Sequence, residues 1–213
     1  MQPQRHGGQR VRVISGSARG RNLAVLPGDS TRPTTSVVKE AAMNILQFEL
    51  EGAAVLELFA GTGQVGIEAL SRGARLAVFV DQNRKCETVI RQNLETTKLA
   101  PKAKLFTADA VGWLSRQTPG RVYDIAFLDP PYEKGLLEKA LPLTAALLHP
   151  AGAILCESAR NEELPESAGE FRVFREYRYG KRKLTLYRVP EREESDIIGG
   201  IHSDGKGDLS GQL

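Results

Sequence analysis

The stretch Asp124-Ile-Ala-Phe-Leu-Asp-Pro-Pro-Tyr132 sets a carboxylate, a rigid turn and an aromatic ring at the end of an apolar run. Val122 to Leu128 is short and mostly apolar, bounded by Pro119-Gly120 before and Pro130-Pro131 after, and reads as a buried strand. In open α/β sheets, ligands bind beyond the carboxyl ends of the strands. Asp129, Pro130, Pro131 and Tyr132 therefore fall where a site is expected. Their types suit one chemistry. An exocyclic amine on a nucleobase is a poor nucleophile, because its lone pair is delocalised into the ring. Two acceptors on its N–H groups can hold the nitrogen in an attacking geometry. The Asp129 carboxylate is one acceptor. The Pro130 carbonyl can be the other, with its direction preset by the fixed φ of proline. Tyr132 offers a face for base stacking, worth about 1–3 kcal/mol. Asp-Pro alone is a common strand-closing turn; the four residues together, in a chain that also carries a glycine-rich loop, favour a site.

That loop is Gly61-Thr-Gly-Gln-Val-Gly66, after an apolar run from Ala53 to Leu58. The G-x-G-x-x-G spacing lets backbone approach a ligand and a helix pack closely, as in dinucleotide folds. A second apolar run, Ala74 to Val80, ends at Asp81, 20 residues after Gly61. An acid at this distance can take both ribose hydroxyls. Loop and acid together do not separate a nicotinamide dinucleotide from S-adenosylmethionine. Asp129-Pro-Pro-Tyr132, which has no role in hydride transfer, leans to the latter.

Four motifs in order, Arg19-Gly-Arg21, Arg32-Pro-Thr34, Leu58-Phe-Ala-Gly-Thr-Gly63 and Asp129-Pro-Pro-Tyr132, resemble those of the bacterial RsmD-type 16S ribosomal RNA guanine-N2 methyltransferases, over roughly residues 10–190. The last motif is shared with DNA adenine methyltransferases, so the set carries the specificity. The resemblance implies a Rossmann-like methyltransferase fold: α/β, with a seven-stranded, mostly parallel sheet, an antiparallel C-terminal hairpin and an N-terminal β-hairpin extension. It implies S-adenosylmethionine held by Glu57, Phe59, Gly61, Thr62, Gly63, Gly66, Asp81, Gln82, Asp109, Ala110 and Asp129. No metal is required. The implied partner is 16S ribosomal RNA within a small-subunit assembly intermediate, met by a cytoplasmic monomer. The rivals are an adenine-N6 methyltransferase acting on DNA or RNA, a nucleotide-binding oxidoreductase, and a non-catalytic RNA-binding protein. A DNA enzyme would need a sizeable target-recognition domain, for which little length remains.

Composition is that of an ordinary globular protein, 41% apolar and 26% charged in 213 residues, enough for one domain with appendages. Cys86 and Cys156 form no disulfide framework or metal cluster, which fits a reducing compartment. The histidines, His6, His149 and His202, have no metal spacing. Charge is uneven. Residues 1–39 and 171–190 each carry +6, leaving −9 elsewhere. Two basic segments flanking a weakly acidic middle suggest a polyanion footprint. Its candidates are Arg10, Arg12, Arg19, Arg21, Arg32, Arg178, Lys181 and Arg182.

The rest of the chain supplies the frame. Residues 1–9 and the acidic, Gly/Ser-rich 191–213 are expected to be disordered tails. Residues 10–33 are expected to form the basic hairpin, and 34–190 the methyltransferase domain. Thr35 or Ser36 can cap a helix with an apolar face of Val38, Ala41, Ala42, Ile45 and Leu46. Cys86, Val89, Ile90 and Leu94 mark another helix. Ala103 to Phe106 reads as a strand before Asp109, which can cap a helix over 110–115 or read an adenine edge. Leu136 to Leu148 reads as helix, Ala153 to Cys156 as strand, and Phe171 to Tyr179 with Lys183 to Val189 as a closing hairpin around Gly180. Glu157 is expected to be structural, and Trp113 core or pocket wall.

Overall fold

The computed structural model describes residues 11–26, 34–132 and 134–191, with the side chains of 34–36 excepted. Arg10, Arg32 and the two expected tails, apart from Glu191, lie outside the described residues. Strands and helices alternate: α1 (Thr34–Ile45), β1 (Ala54–Leu58), α2 (Gln64–Ser71), β2 (Leu76–Asp81), α3 (Arg84–Thr97), β3 (Ala103–Thr107), α4 (Ala110–Leu114), β4 (Tyr123–Leu128), α5 (Leu136–Ala145), β5 (Leu148–Ala159), β6 (Ser167–Ala168), β7 (Phe171–Tyr179) and β8 (Arg182–Arg188). Among the described residues no helix is long and apolar enough to cross a membrane.

One sheet joins all eight strands in the order β3-β2-β1-β4-β5-β8-β7-β6. The first five run parallel and the last three antiparallel. The expected seven strands become eight because β6, only two residues long, pairs with β7. So short a run leaves no periodic mark in a sequence. Side chains alternate between the two faces and build two cores. Val55, Phe79, Phe127 and Leu155 pack towards α1, α2 and α3. Leu56, Val78, Leu128 and Ile154 pack towards α4 and α5. Buried on both faces, β1 reads as the continuous apolar run expected of a parallel strand, apart from Glu57.

The chain leaves β1 for β2 on one side, and β4 stands on β1's other side. That divergence is a topological switch point, with its crevice at the carboxyl ends of β1 and β4. The register Leu58↔Leu128 brings those ends level.

The N-terminal extension forms the expected hairpin with a minimal ladder: one antiparallel bridge, Arg12↔Asn22, with Val13 N donating to the Arg21 carbonyl (2.9 Å) and Leu23 N to the Val11 carbonyl (2.8 Å). The intervening turn also bonds to α2. The buried Glu68 carboxylate accepts from Ile14 N (2.8 Å) and Ser15 N (2.9 Å), and Ser71 Oγ donates to the Ser15 carbonyl (2.6 Å). Val13, Ala18 and Leu23 are buried beneath it, while Arg12, Arg19 and Arg21 face outward.

Candidate active site

The carboxyl ends of the parallel strands enclose a cavity of about 660 Å³. That volume lies within the usual range for small-molecule sites. Each strand contributes a station. Phe59, Gly61 and Thr62 follow β1; Asp81 and Gln82 end β2; Asp109 and Ala110 follow β3; Asp129, Pro130, Pro131 and Tyr132 follow β4. Glu157 comes from β5, Arg182 from β8, Lys39 from α1 and Leu26 from the N-terminal segment.

The glycine loop is shaped by packing and by its neighbours' carboxylates. Gly63 starts α2 with φ 72° and caps it with no side chain. The first-turn N–H groups find Glu57 instead, whose carboxylate accepts from Val65 N (3.3 Å) and Gly66 N (2.8 Å). Gly66 is glycine for lack of room: a Cβ there would lie 2.5 Å from the Phe79 ring and 2.8 Å from Glu57 Oε2. Gly61 differs, with φ 54° and open space where a Cβ would stand. Phe59 also has positive φ (58°), a conformation costly for a non-glycine residue, directly beside the cavity.

Glu57, Gly63 and Gly66, expected at the cofactor, therefore stand behind the wall rather than on it, because they are used in seating α2 on β1 and β2. Burial pushes the Glu57 carboxyl up to about 8, against the pull of its two backbone donors.

Asp81 is held at both oxygens. Oδ2 accepts from Gly61 N and Oδ1 from Asn83 N, each at 2.8 Å. Each oxygen keeps a second acceptor direction, and the carboxylate lines the cavity. Asp109 caps α4 through Gly112 N at 2.7 Å and also lines the cavity.

At the other end the groups are held by side chains. The register Leu128↔Cys156 between parallel β4 and β5, carried one residue on, sets Asp129 beside Glu157 on the same face. Adjacent strands lie about 4.8 Å apart. Tyr132 donates its hydroxyl to Glu157 Oε1 at 2.7 Å. Arg182 pairs with the same oxygen, and its guanidinium lies 5.7 Å from the Tyr132 ring centroid. Enclosure first, and the Glu157 charge second, push the Asp129 carboxyl well above the ordinary carboxylate range, while Arg182 opposes them. Burial and Glu157 likewise raise the Tyr132 phenol.

Arg182 thus leaves the expected polyanion surface. On β8 it shares the face of Leu184 and Leu186, which is buried, and it points into the cavity. Lys183, in the same basic run, is also buried, bonded to Glu176 at 2.5 Å. Arg178 and Lys181 stay exposed at the β7–β8 turn. Glu157 and Lys39 are wall residues that the sequence reading did not assign. Both had a signal. Glu157 is an acid at the end of an apolar strand, level with Asp129. Lys39 falls in the helical stripe of Ala42, Met43 and Leu46, where a basic residue is out of pattern.

The wall fits S-adenosylmethionine: an acid with spare acceptors for a ribose, a backbone-open glycine loop, and more acidic than basic side chains for a cationic ligand.

Comparison with known proteins gives the same direction. The "Ribosomal RNA small subunit methyltransferase D" of Escherichia coli K12 is 34% identical over 196 residues, covering 91% of this chain and 98% of that protein. The Bacillus subtilis protein named "Putative rRNA methyltransferase YlbH" is 40% identical over 184 residues, 84% of this chain and 98% of that one. The solved Escherichia coli structure described as "Putative methyltransferase yhhF" superposes with TM-score 0.75 at 34% identity, covering 85% of this chain and 99% of that one. Residues 11–188 match the family described as conserved hypothetical protein 95. The chain belongs to that family, and the resemblance to RsmD-type enzymes read from four motifs is borne out.

Proposed function

We propose that this protein transfers a methyl group from S-adenosylmethionine to the exocyclic N2 amine of a guanine in 16S ribosomal RNA. The observation that carries the choice of base is the pair of carboxylates, Asp129 and Glu157, abreast at the ends of β4 and β5. The Watson–Crick edge of guanine presents N1–H and N2–H₂, donors that suit two neighbouring acceptors. Adenine presents N6–H₂ beside the N1 lone pair, which would face a carboxylate. Its relatives' ribosomal RNA names support the substrate class.

Bound S-adenosylmethionine supplies a methyl already activated by its sulfonium. The chain's task is then alignment for an in-line transfer. Asp129 and the carbonyl of Pro130, which lines the cavity, hold the amine's two N–H groups. Tyr132 stacks the base, its hydroxyl anchored to Glu157. As the nitrogen becomes tetrahedral and positive, the Asp129 charge stabilises it. Arg182, paired with Glu157, opposes the push on the Asp129 carboxyl and favours its ionised form. That carboxylate can then accept the proton the methylated amine sheds. A structured target must deliver its base unstacked or flipped.

The outward arginines 12, 19 and 21, with Arg178 and Lys181, are the proposed phosphate contacts. The proposed substrate is a protein-bound small-subunit intermediate in the cytoplasm, and the enzyme acts as a monomer. The test is to incubate the protein with labelled S-adenosylmethionine and small-subunit particles or RNA lacking the modification, then identify the labelled nucleoside. N2-methylguanosine is expected; N6-methyladenosine would replace this reading.

A further inference from the structure

Lys39 is a buried cation that the steps above do not use. It lies on α1 among Ala42, Met43 and Leu46. A lysine in such a stripe is costly to desolvate, and burial is the main reason its ammonium is drawn below the ordinary lysine range. One of its three donors goes to the Arg12 carbonyl at 3.1 Å. The charged groups that act on it are Glu68, Glu40, Arg72 and Glu57. The two buried acids among them are already engaged. Glu68 holds Ile14 N, Ser15 N and Arg72 Nε, and Glu57 holds Val65 N and Gly66 N.

Lys39 also lines the cavity. Among the described residues of that wall the cations are Lys39 and Arg182, and Arg182 is paired with Glu157. Three stations are spoken for: Asp81 for a ribose, Asp109 and Ala110 for its base, and Asp129 to Tyr132 for the target. The rest of the wall includes Thr62 and Gln64 of the glycine loop, and its cation is Lys39, on which the loop-seating Glu57 acts. A buried ammonium on that wall is suited to an anion, and a small one attached to the ligand already placed.

We propose that Lys39 is the subsite for an α-carboxylate, binding the amino-acid tail of a nucleoside thioether or sulfonium through its ammonium. This rests on S-adenosylmethionine being the cofactor. It makes α1 and the Arg12 carbonyl part of the cofactor site, so the N-terminal segment helps to position the cation.

The test is calorimetric binding to the full-length protein of two probes: S-adenosylhomocysteine, which carries the tail, and 5′-methylthioadenosine, which lacks it. The parent is expected to bind both, the first more tightly. Lys39→Met should weaken S-adenosylhomocysteine roughly 10- to 100-fold, the range for a lost charged hydrogen bond. It should leave 5′-methylthioadenosine unchanged. Lys39→Arg, which keeps the charge, should keep most of the preference and covers the case of a Met variant that does not fold. Equal weakening of both probes would reduce Lys39 to a prop for the N-terminal segment and overturn the proposal. So would unchanged binding of both, or a parent without preference for the tailed probe. A parent that binds neither probe would instead remove the cofactor reading itself.

Discussion

The two ends of the cavity are built differently. At the cofactor end, carboxylates are fixed by backbone: Asp81 by Gly61 N and Asn83 N, Asp109 by Gly112 N. At the target end, the Glu157 carboxylate is fixed by side chains from distant parts of the chain. Tyr132 and Arg182 each reach Glu157 across 25 residues of sequence. The first arrangement is rigid and suits a ligand of constant shape. The second concentrates charge where a reaction creates a cation, as electrostatic catalysis requires.

The sharpest way to break this comparison is Asp129→Ala. It removes the acceptor whose interaction strengthens as the amine becomes cationic, and it should lower methyl transfer by roughly 10²–10³-fold or more. Affinity for S-adenosylhomocysteine should stay close to that of the parent. Asp129→Asn keeps one acceptor oxygen and the shape but not the charge, so it should fall between the two. Single-turnover assays read this directly; parental turnover by Asp129→Ala would end the claim that the target end is where catalysis is done.

Asp81→Ala should give the opposite profile. Loss of a charged acceptor is worth about 1.5–3 kcal/mol, so cofactor affinity should fall roughly 10- to 150-fold. The rate at saturating cofactor should change far less. Because Asp81 also holds Gly61 N, some of the loss will come from a loosened loop. Asp81→Asn, which can keep one of the two backbone bonds, should recover part of the affinity. Equal affinities for parent and Ala variant would take Asp81 out of the site.

The same contrast explains what could be read from the sequence. Backbone-built features leave residue types at fixed offsets: Gly61 and Gly63 for positive φ, Gly66 for close packing, Asp81 after its strand, and the two prolines after Asp129. The order of strands and helices was legible for the same reason, since each parallel strand is an apolar run closed by turn residues. The target end depends on register between strands far apart in sequence. A run of basic residues near Arg182 does not say which of them point inward. Only the pairing of β8 with β5 turns Arg182 towards Glu157 and leaves Lys181 outside. Glu157 reads as structural from the sequence, and only setting β4 and β5 side by side brings it to the cavity beside Asp129. Lys39 needed only the helical phase of α1, which the apolar stripe already contained.

Glu57 sharpens the comparison through pH. Its carboxyl is raised from an ordinary 4.5 to about 8, chiefly by burial. The folded state therefore binds more protons than the unfolded chain between those values, and stability falls as pH rises through that window. The limit is about 1.4 kcal/mol per pH unit. Glu57→Gln cannot titrate, so its stability curve should be flatter than the parent's from about pH 4.5 to 8 and parallel to it above. Urea unfolding at four pH values would show this. Parallel curves throughout would mean that the α2 N–H groups keep Glu57 ionised in the folded state.

The smallest expected effect is at Tyr132, where it separates stacking from anchoring. Tyr132→Phe keeps the ring and loses the hydroxyl bond to Glu157. Glu157 Oε1 still has Arg182, so no buried charge is stranded. A bond of this kind contributes about 1.5–3 kcal/mol when it reaches a charged group, but the tyrosine is half-buried and water can replace part of it. The loss in methyl transfer should therefore be modest, about 3- to 10-fold, and should appear in the target's KM as much as in kcat. Tyr132→Ala removes the stacking face as well, and by alanine substitution that is worth about 1–3 kcal/mol per base. Its effect should exceed that of Phe by about that much. If Phe and Ala were equally damaged, the hydroxyl and its grip on Glu157 would be what matters, and Tyr132 would belong with Arg182 as a residue that positions Glu157 rather than one that stacks the base.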